Sequence, residues 1–178
     1  MKSAVDQLAR YKSVHLNPTN IKTHFVGIPL IIWSAFVWLG LLRFELAGFG
    51  VASAAMVFTL VVLAYYVMLH VRLAVGMLLF ILPVLYTSDK MAMLPNAGWI
   101  AAAVFVIGWV FQLIGHRYEK AKPAFIDDLT QLLIGPFFLM AELYFALGLE
   151  KALDKEITPK AIAARRALEA ERKTKAKT

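Results

Sequence analysis

The chain has 178 residues, of which 60% are hydrophobic and only 17% are charged. A soluble domain of this length would expose large apolar patches at such a composition, so the class indicated is a single integral membrane domain. The formal net charge of +7 does not indicate a nucleic acid partner, because the basic residues flank apolar runs, where they attract anionic lipid headgroups.

The N-terminal residues predict a surface helix followed by a first membrane segment. Residues 1–16 are polar, with Leu8 and Tyr11 spaced for a short helix on the membrane surface, and they lack the apolar core of a signal peptide. Asn17 as N-cap and Pro18 at the first helical position predict the start of a longer helix. The uncharged residues 25–42 that follow are long enough to span a bilayer.

Three more apolar runs precede residue 116. A short turn at residues 43–50 leads into the second run, residues 46–69. The third run, residues 73–86, is shorter and contains Pro83, so a kinked or incomplete helix is expected there. The fourth, residues 99–114, ends in the charged residues 117–128, for which we expect a loop.

The C-terminal third divides into an apolar run and a basic tail. Gly135 and Pro136 interrupt the apolar residues 129–149, and a re-entrant or broken hairpin is therefore expected around Pro136. Residues 151–178 are basic and rich in alanine, which predicts a helical or frayed tail on the membrane surface. The domain organisation expected is a catalytic membrane domain at 1–150 and a cytoplasmic tail at 151–178.

The distribution of basic residues predicts the orientation. Only Arg43 and Lys90 fall on the side opposite the N-terminus, which by the positive-inside rule makes the N-terminal side cytoplasmic. Four crossings then precede residue 116, and the fold class expected is an all-α polytopic membrane bundle of four to six segments. The basic residues on the N-terminal side are Lys2, Arg10, Lys12, Lys22, Arg72, Arg117, Lys120 and Lys122.

Four histidines stand at the polar ends of these runs. If the runs cross the bilayer in series, all four imidazoles reach the cytoplasmic side, which predicts a metal site at the helix ends. Neutral imidazole suits iron, zinc, copper and nickel, and a chain without cysteine offers no thiolate. The alternative interpretation is that the histidines lie at the membrane interface and bind no metal. The four candidates are His15, His24, His116 and His70, of which His70 is the expected bystander.

Three further polar residues are candidates for the site. Gln112, His116 and Glu119 fall on one face of a helix, so Glu119 is a candidate oxygen ligand, or a group that orients an imidazole. A solvated carboxylate paired with neighbouring lysines or arginines is the alternative for Glu119. Glu142 is an ionisable group within an apolar run, which is costly and by default functional.

Other function classes remain open on the residues alone. A haem-binding electron-transfer protein needs two facing imidazoles, which His70 and His116 offer. A non-enzymatic lipid-binding protein and a zinc hydrolase are two more candidates. The chain contains neither the glycine-rich nor the lysine-bearing nucleotide motifs, nor a nucleophile elbow, and it lacks the dense histidine boxes of membrane di-iron desaturases.

Two blocks of residues resemble one enzyme family, the membrane-bound 2-hydroxy fatty acid dioxygenases. These include the fungal endoplasmic-reticulum enzyme of phytosphingosine breakdown and its bacterial relatives. The first block is Tyr11-…-His15-x-Asn17-Pro18-x-Asn20-x-x-x-His24-x-x-Gly27-x-Pro29. The second is Trp109-x-x-Gln112-x-x-Gly115-His116-x-x-Glu119-x-x-x-Pro123-Ala124, followed by Gln131-x-x-x-Gly135-Pro136-x-Phe138-x-x-x-Glu142.

The resemblance implies Fe²⁺-dependent α-oxidation, in which a 2-hydroxy fatty acid and O₂ give CO₂ and the fatty acid one carbon shorter, without a 2-oxo acid. It implies His15, His24 and His116 as iron ligands, and leaves His70 outside both blocks. Arg117 and Lys22 are then expected to attract the substrate carboxylate, while the tail of the acid lies among membrane lipid. The compact length favours a bacterial inner membrane, with the site on the cytoplasmic side.

Overall fold

We describe the protein from a computed structural model, which describes residues 3–48, 50–122 and 128–175. In that part of the chain it forms seven α-helices and one antiparallel hairpin. Pro123 and Ala124 of the second sequence block, and residues 176–178 of the tail, lie outside the described residues. The elements are α1 (Ala4–Lys12), α2 (Pro18–Gly40), β1 (Arg43–Leu46), β2 (Gly50–Ser53), α3 (Ala54–Leu69), α4 (Val71–Ala92), α5 (Ala97–Glu119), α6 (Gln131–Ala146) and α7 (Lys151–Lys175).

These elements divide into two compact units. The terminal unit comprises Met1–Lys22 and Gly115–Thr178, and the central unit comprises Thr23–Ile114. The terminal unit therefore contains α1, α6 and α7, and the central unit contains α3, α4 and the hairpin. The boundaries fall within α2 and within α5, each of which is one uninterrupted helix.

In the terminal unit, α1 packs against both α6 and α7. Ser3 caps α1, because its hydroxyl accepts the Asp6 backbone N–H at 3.1 Å and donates to the Asp6 carboxylate at 2.7 Å. Leu8 and Tyr11 are buried, so the predicted short helix is confirmed and packs against protein, while its position at a membrane surface stays a prediction.

The C-terminal tail is also packed. Leu153, Ile157 and Ala161 are buried at four-residue intervals on α7, which places them along one side of the helix. This stripe faces protein, and helix α7 contacts α1. The prediction of a helical tail is confirmed as far as Lys175, but the helix is anchored rather than frayed; the domain boundary at 150 stays a prediction.

The expected break at Pro136 is absent from α6. The helix runs without interruption from Gln131 to Ala146, and Pro136 lies inside it. Gly135, Phe137, Phe138 and most of their neighbours are buried, so surrounding packing stabilises the turn where the proline removes one backbone hydrogen bond. The prediction of a broken hairpin is wrong.

The start of α2, which lies in the terminal unit, is confirmed, and two predictions for the central unit become more specific. Helix α2 begins at Pro18, and the Asn17 side-chain oxygen accepts the Thr19 N–H at 2.9 Å. The predicted turn at residues 43–50 is instead a hairpin, in which Gly48 and Gly50 have positive φ angles. Helix α4 is complete through Pro83. The Thr87 hydroxyl donates to the Pro83 carbonyl at 2.8 Å.

Close helix packing in the central unit depends on two glycines. A Cβ atom on Gly27 would collide with Gln112 Nε2 and lie 2.7 Å from the Gly108 carbonyl oxygen. A Cβ atom on Gly108 would lie 2.8 Å from Ile31 Cγ1. Helices α2 and α5 therefore approach through small residues, the packing found between apolar helices.

Within the part of the chain that the structure describes, three helices are long and apolar enough to cross a membrane: α2, α4 and α5. Helices α3 and α6 are apolar but have 16 residues each, about 24 Å at the α-helical rise, which is less than a typical hydrocarbon core. Many large apolar side chains on these helices are exposed, among them Leu60, Leu79 and Val106. Such an extensive apolar surface is typical of contact with lipid.

Candidate metal centre

Three of the four histidines come together. One ligand atom each from His15, His24 and His116 lies within 4.8 Å of the other two. His15 follows α1, His24 stands in the second turn of α2, and His116 is in the last turn of α5. His15 and His24 are almost completely buried, at 1% exposure each. Imidazoles gathered away from water in this way can hold a metal ion.

The contacts of His15 fix which of its nitrogens is available to a metal. Nδ1 lies 2.8 Å from the Tyr11 carbonyl oxygen. Since a carbonyl only accepts, Nδ1 carries the proton and Nε2 keeps its lone pair. A backbone partner on the second ring nitrogen is typical of metal-binding histidines.

Aromatic side chains hold the His15 ring in place. The Tyr11 ring stacks on it with 4.1 Å between centroids and 1° between planes. Phe138 from α6 lies 5.7 Å away and tilted, and the His116 ring approaches edge-on at 5.0 Å. Burial raises the pKa of the Tyr11 hydroxyl above its usual range, so Tyr11 is neutral.

Glu119 links the chain segments that carry the histidines. Its carboxylate accepts the backbone N–H groups of Leu16 at 3.2 Å and Asn17 at 2.8 Å, which lie between His15 and α2. It also accepts the Asn20 side-chain amide at 3.1 Å, one turn before His24. Because Glu119 itself lies one turn after His116, a single carboxylate ties the turn after α1, the first turn of α2 and the end of α5.

Arg165 supplies the positive charge beside this carboxylate. Its Nη1 lies 3.3 Å from Glu119 Oε1, and its Nη2 donates to the Glu119 backbone carbonyl at 2.9 Å. The Glu119 side chain is only 2% exposed, and a buried carboxylate is costly without paired charge and hydrogen bonds. Both oxygens of Glu119 are thus engaged by hydrogen-bond donors, which argues for an orienting group and against an oxygen ligand.

Four other predicted site residues do not belong to the group of three histidines: His70, Glu142, Arg117 and Lys22. His70 is not part of the group of three; it joins α3 to α4, where its Nδ1 accepts the Leu73 N–H at 3.5 Å. Glu142 accepts from Lys12 Nζ at 2.6 Å. Arg117 and Lys22 are exposed. The roles predicted for these residues stay predictions.

Gln112 is buried against Gly27. Its Nε2 has no hydrogen-bond partner among the described residues, and the absence of a side chain on Gly27 makes the room that it occupies. An unpaired buried amide nitrogen is uncommon and calls for an explanation. Its predicted role at the site is compatible with this arrangement, but no contact of Gln112 decides it.

The residues present fit a metal ion of the imidazole-binding kind. Three histidines from three chain segments offer nitrogen donors, and His15 presents Nε2 with its lone pair. The Tyr11 carbonyl accepts from His15 Nδ1, and Glu119 accepts the backbone N–H groups of the two residues after His15. Such a donor set suits iron, zinc, copper or nickel.

Comparison with known proteins identifies the family. The family model described as "2-hydroxy-palmitic acid dioxygenase Mpo1-like" matches residues 1–147. The chain belongs to the Mpo1-like family. It is 32% identical over 146 residues to the 2-hydroxy-palmitic acid dioxygenase MPO1 of Saccharomyces cerevisiae, with 80% of each chain covered. No solved structure matches the chain.

The Mpo1-like region contains all three grouped histidines and Glu119, but not Arg165, which lies beyond residue 147. Sequence reasoning missed this arginine. A signal was present, because Arg165 continues the four-residue spacing of the buried Leu153, Ile157 and Ala161 on α7. A charged residue in line with an apolar stripe faces the protein interior and needs a partner there.

Proposed function

We propose that this protein is an Fe²⁺-dependent dioxygenase that shortens 2-hydroxy fatty acids by one carbon. The observation that carries the proposal is the group of three histidines in a chain of the Mpo1-like family. The yeast relative is named for 2-hydroxy-palmitic acid, which supports a 2-hydroxy fatty acid as substrate. The exposed apolar helices support a location where such an acid partitions.

His15, His24 and His116 would hold the iron. An Fe²⁺ ion held there would supply an electron source for O₂ and a Lewis acid on which substrate and O₂ are brought together. The part of this chain is to bury and orient the imidazoles: the Tyr11 carbonyl accepts from His15 Nδ1, and the Glu119 carboxylate holds the backbone just after His15. Arg117 and Lys22 are the candidate cations for the substrate carboxylate.

The proposed reaction balances without a further reductant. One 2-hydroxy acid and one O₂ give one shorter acid, one CO₂ and one water. The bond between C1 and C2 breaks, C2 is oxidised to the new carboxyl group, and C1 leaves as CO₂. The substrate supplies all four electrons that O₂ accepts, so no 2-oxo acid is required.

In the membrane, we propose that α2, α3, α4 and α5 form four crossings. Helix α3 has 16 residues, and the hairpin before it would then lie in the interfacial region. The N-terminus, the helix ends that carry the histidines and the basic residues beside them would face the cytoplasm. Each methylene of the acid buried in hydrocarbon favours binding by about 0.8 kcal/mol, which leaves its headgroup at the interface beside the site.

The test is reconstitution of the purified full-length protein with Fe²⁺ under anaerobic conditions, followed by 2-hydroxypalmitate and O₂. We expect pentadecanoic acid, CO₂ and O₂ consumption in equal amounts. Substituting alanine for His15, His24 or His116 should reduce the rate by more than about 100-fold, since even loss of an outer-sphere partner costs 10–100-fold.

Three results would contradict the proposal. They are equal activity with Zn²⁺ in place of Fe²⁺, an intense haem absorption band in the purified protein, and no shortened acid from a series of medium-chain to very-long-chain 2-hydroxy fatty acids. Substituting Arg117 or Lys22 with Gln tests the substrate contacts separately, because an unchanged KM for both variants would remove them from the site.

A further inference from the structure

Helix α7 brings the Arg165 side chain to Glu119, the carboxylate that holds the backbone beside His15. Arg165 contacts Glu119 twice, through the carboxylate at 3.3 Å and the backbone carbonyl at 2.9 Å. It also lies 3.5 Å from the Ser13 carbonyl oxygen, two residues before His15. Its Nε donates to Glu169 on the next turn of α7 at 2.7 Å, which holds the guanidinium plane in a fixed direction.

The geometry of an arginine suits this position. A guanidinium offers five N–H donors in a planar fork and stays charged at every physiological pH. Here the fork reaches the turn after α1 and the last residue of α5 at the same time. The Arg165 side chain is 15% exposed, so water screens its pairing with Glu119 only weakly.

We propose that Arg165 is a positioning residue for the three-histidine group, and that it acts through Glu119. It keeps that carboxylate pointed at the Leu16 and Asn17 N–H groups, and so holds His15 and His116 at the spacing that a metal needs. The proposal rests on the proposed function insofar as that function requires the metal.

A purely structural role makes a different prediction. If Arg165 only anchored α7, its loss would lower thermal stability and leave metal affinity unchanged. If it positions the histidines through Glu119, its loss weakens metal binding, and the loss of Glu119 makes that effect disappear. The two residues therefore need to be tested singly and together.

The experiment titrates full-length protein in detergent with Co²⁺ alone, whose visible absorption bands report its ligands. Arg165→Ala is expected to weaken the apparent Kd about 10–100-fold, the usual effect of removing an outer-sphere partner. Arg166→Ala is the matched control, because Arg166 is the exposed neighbour with the same charge, and its Kd should stay within about twofold of the unchanged protein.

The double variant tests the route. Arg165→Ala in a Glu119→Gln background should weaken Co²⁺ binding no further than Glu119→Gln alone, because residues that act through one another are not additive. Additive losses in the double variant, an unchanged Kd in Arg165→Ala, or an equal loss in Arg166→Ala would each overturn the proposal.

Two further measurements keep the test decisive. If Arg165→Ala does not fold, Arg165→Lys keeps the charge without the fork, and a Kd equal to that of the unchanged protein would overturn the proposal. Amide hydrogen exchange in residues 13–17 should accelerate at least about tenfold in both Arg165→Ala and Arg165→Lys. This acceleration is expected with or without metal. Failure of the unchanged protein to bind Co²⁺ would count against the proposed function, whereas unaltered exchange counts against Arg165.

Discussion

The two units of the molecule are stabilised by different kinds of interaction. Ion pairs and hydrogen bonds that join distant parts of the sequence run through the terminal unit, including Glu119 with Arg165 and Lys12 with Glu142. Apolar clusters and close helix packing dominate the central unit, around Val37 and Phe36. Its ion pair between Arg43 and Asp89 lies beside the hairpin.

The difference indicates how the chain divides its tasks. Buried polar networks are costly unless every member has its partners, and once satisfied they fix one geometry. The terminal unit contains such a network together with His15 and His116, and metal binding requires these two histidines at fixed positions. The apolar packing of the central unit tolerates a looser specification, because hydrophobic side chains of about the right size can replace one another.

The largest effect that distinguishes the units is expected at Lys12. Its ammonium lies 2.6 Å from Glu142 and 5.2 Å from the centre of the Phe145 ring, and the Lys12 and Glu142 side chains are 11% and 15% exposed. Lys12→Met leaves a buried carboxylate without its cation, and the free energy of unfolding should fall by about 3 kcal/mol or more. Denaturant unfolding in mixed micelles measures it.

The Lys12→Met/Glu142→Met variant decides what Glu142 does. If the pair is structural, the double variant regains most of the stability lost in the single one and keeps its activity. A stable but inactive double variant would instead place Glu142 in the chemistry, as the sequence suggested. Lys160→Met is the matched control, since Lys160 pairs with Glu156 in the same unit at half exposure, and it should cost less than about 1 kcal/mol.

The sequence was informative about the site for a simple physical reason. A histidine at the polar end of an apolar run is restricted to the end of an apolar helix. Runs of similar length bring such ends to a common level. The grouping of His15, His24 and His116 could therefore be predicted. His70 obeys the same pattern yet caps α4, so the pattern alone does not predict the direction in which a histidine points around its helix.

Long-range pairs could not be predicted in the same way. The partner of Glu142 could not be foreseen because its cation is 130 residues away in the sequence, and the sequence alone places Arg165 in a basic tail because its carboxylate is 46 residues away. The prolines misled for a related reason. Pro83 and Pro136 weaken a helix locally. Only the structure shows that α4 and α6 continue through these prolines, with buried residues on both sides of each.

An intermediate effect is expected from overpacking in the central unit. Gly27→Ala adds a methyl group that would lie 2.7 Å from the Gly108 carbonyl oxygen, a backbone atom that cannot rotate away. We expect the free energy of unfolding to fall by about 1–3 kcal/mol. Gly98→Ala is the matched control, because the added Cβ meets only Leu41 Cδ1 at 4.0 Å; equal losses in the two variants would mean that close packing at Gly27 is unimportant.

The smallest effect is expected at His70, and it sharpens the comparison most. Its Nδ1 accepts the Leu73 N–H at a long 3.5 Å, so His70→Ala should lower the free energy of unfolding by about 0.5–1 kcal/mol, as for a weak N-cap, and His70→Asn should recover most of it. Bound iron per protein, measured after reconstitution, should stay unchanged in both. If iron content fell in His70→Ala as far as in His24→Ala, the metal centre would include a ligand from the α3–α4 junction, and the central unit would then supply as many histidines to it as the terminal unit.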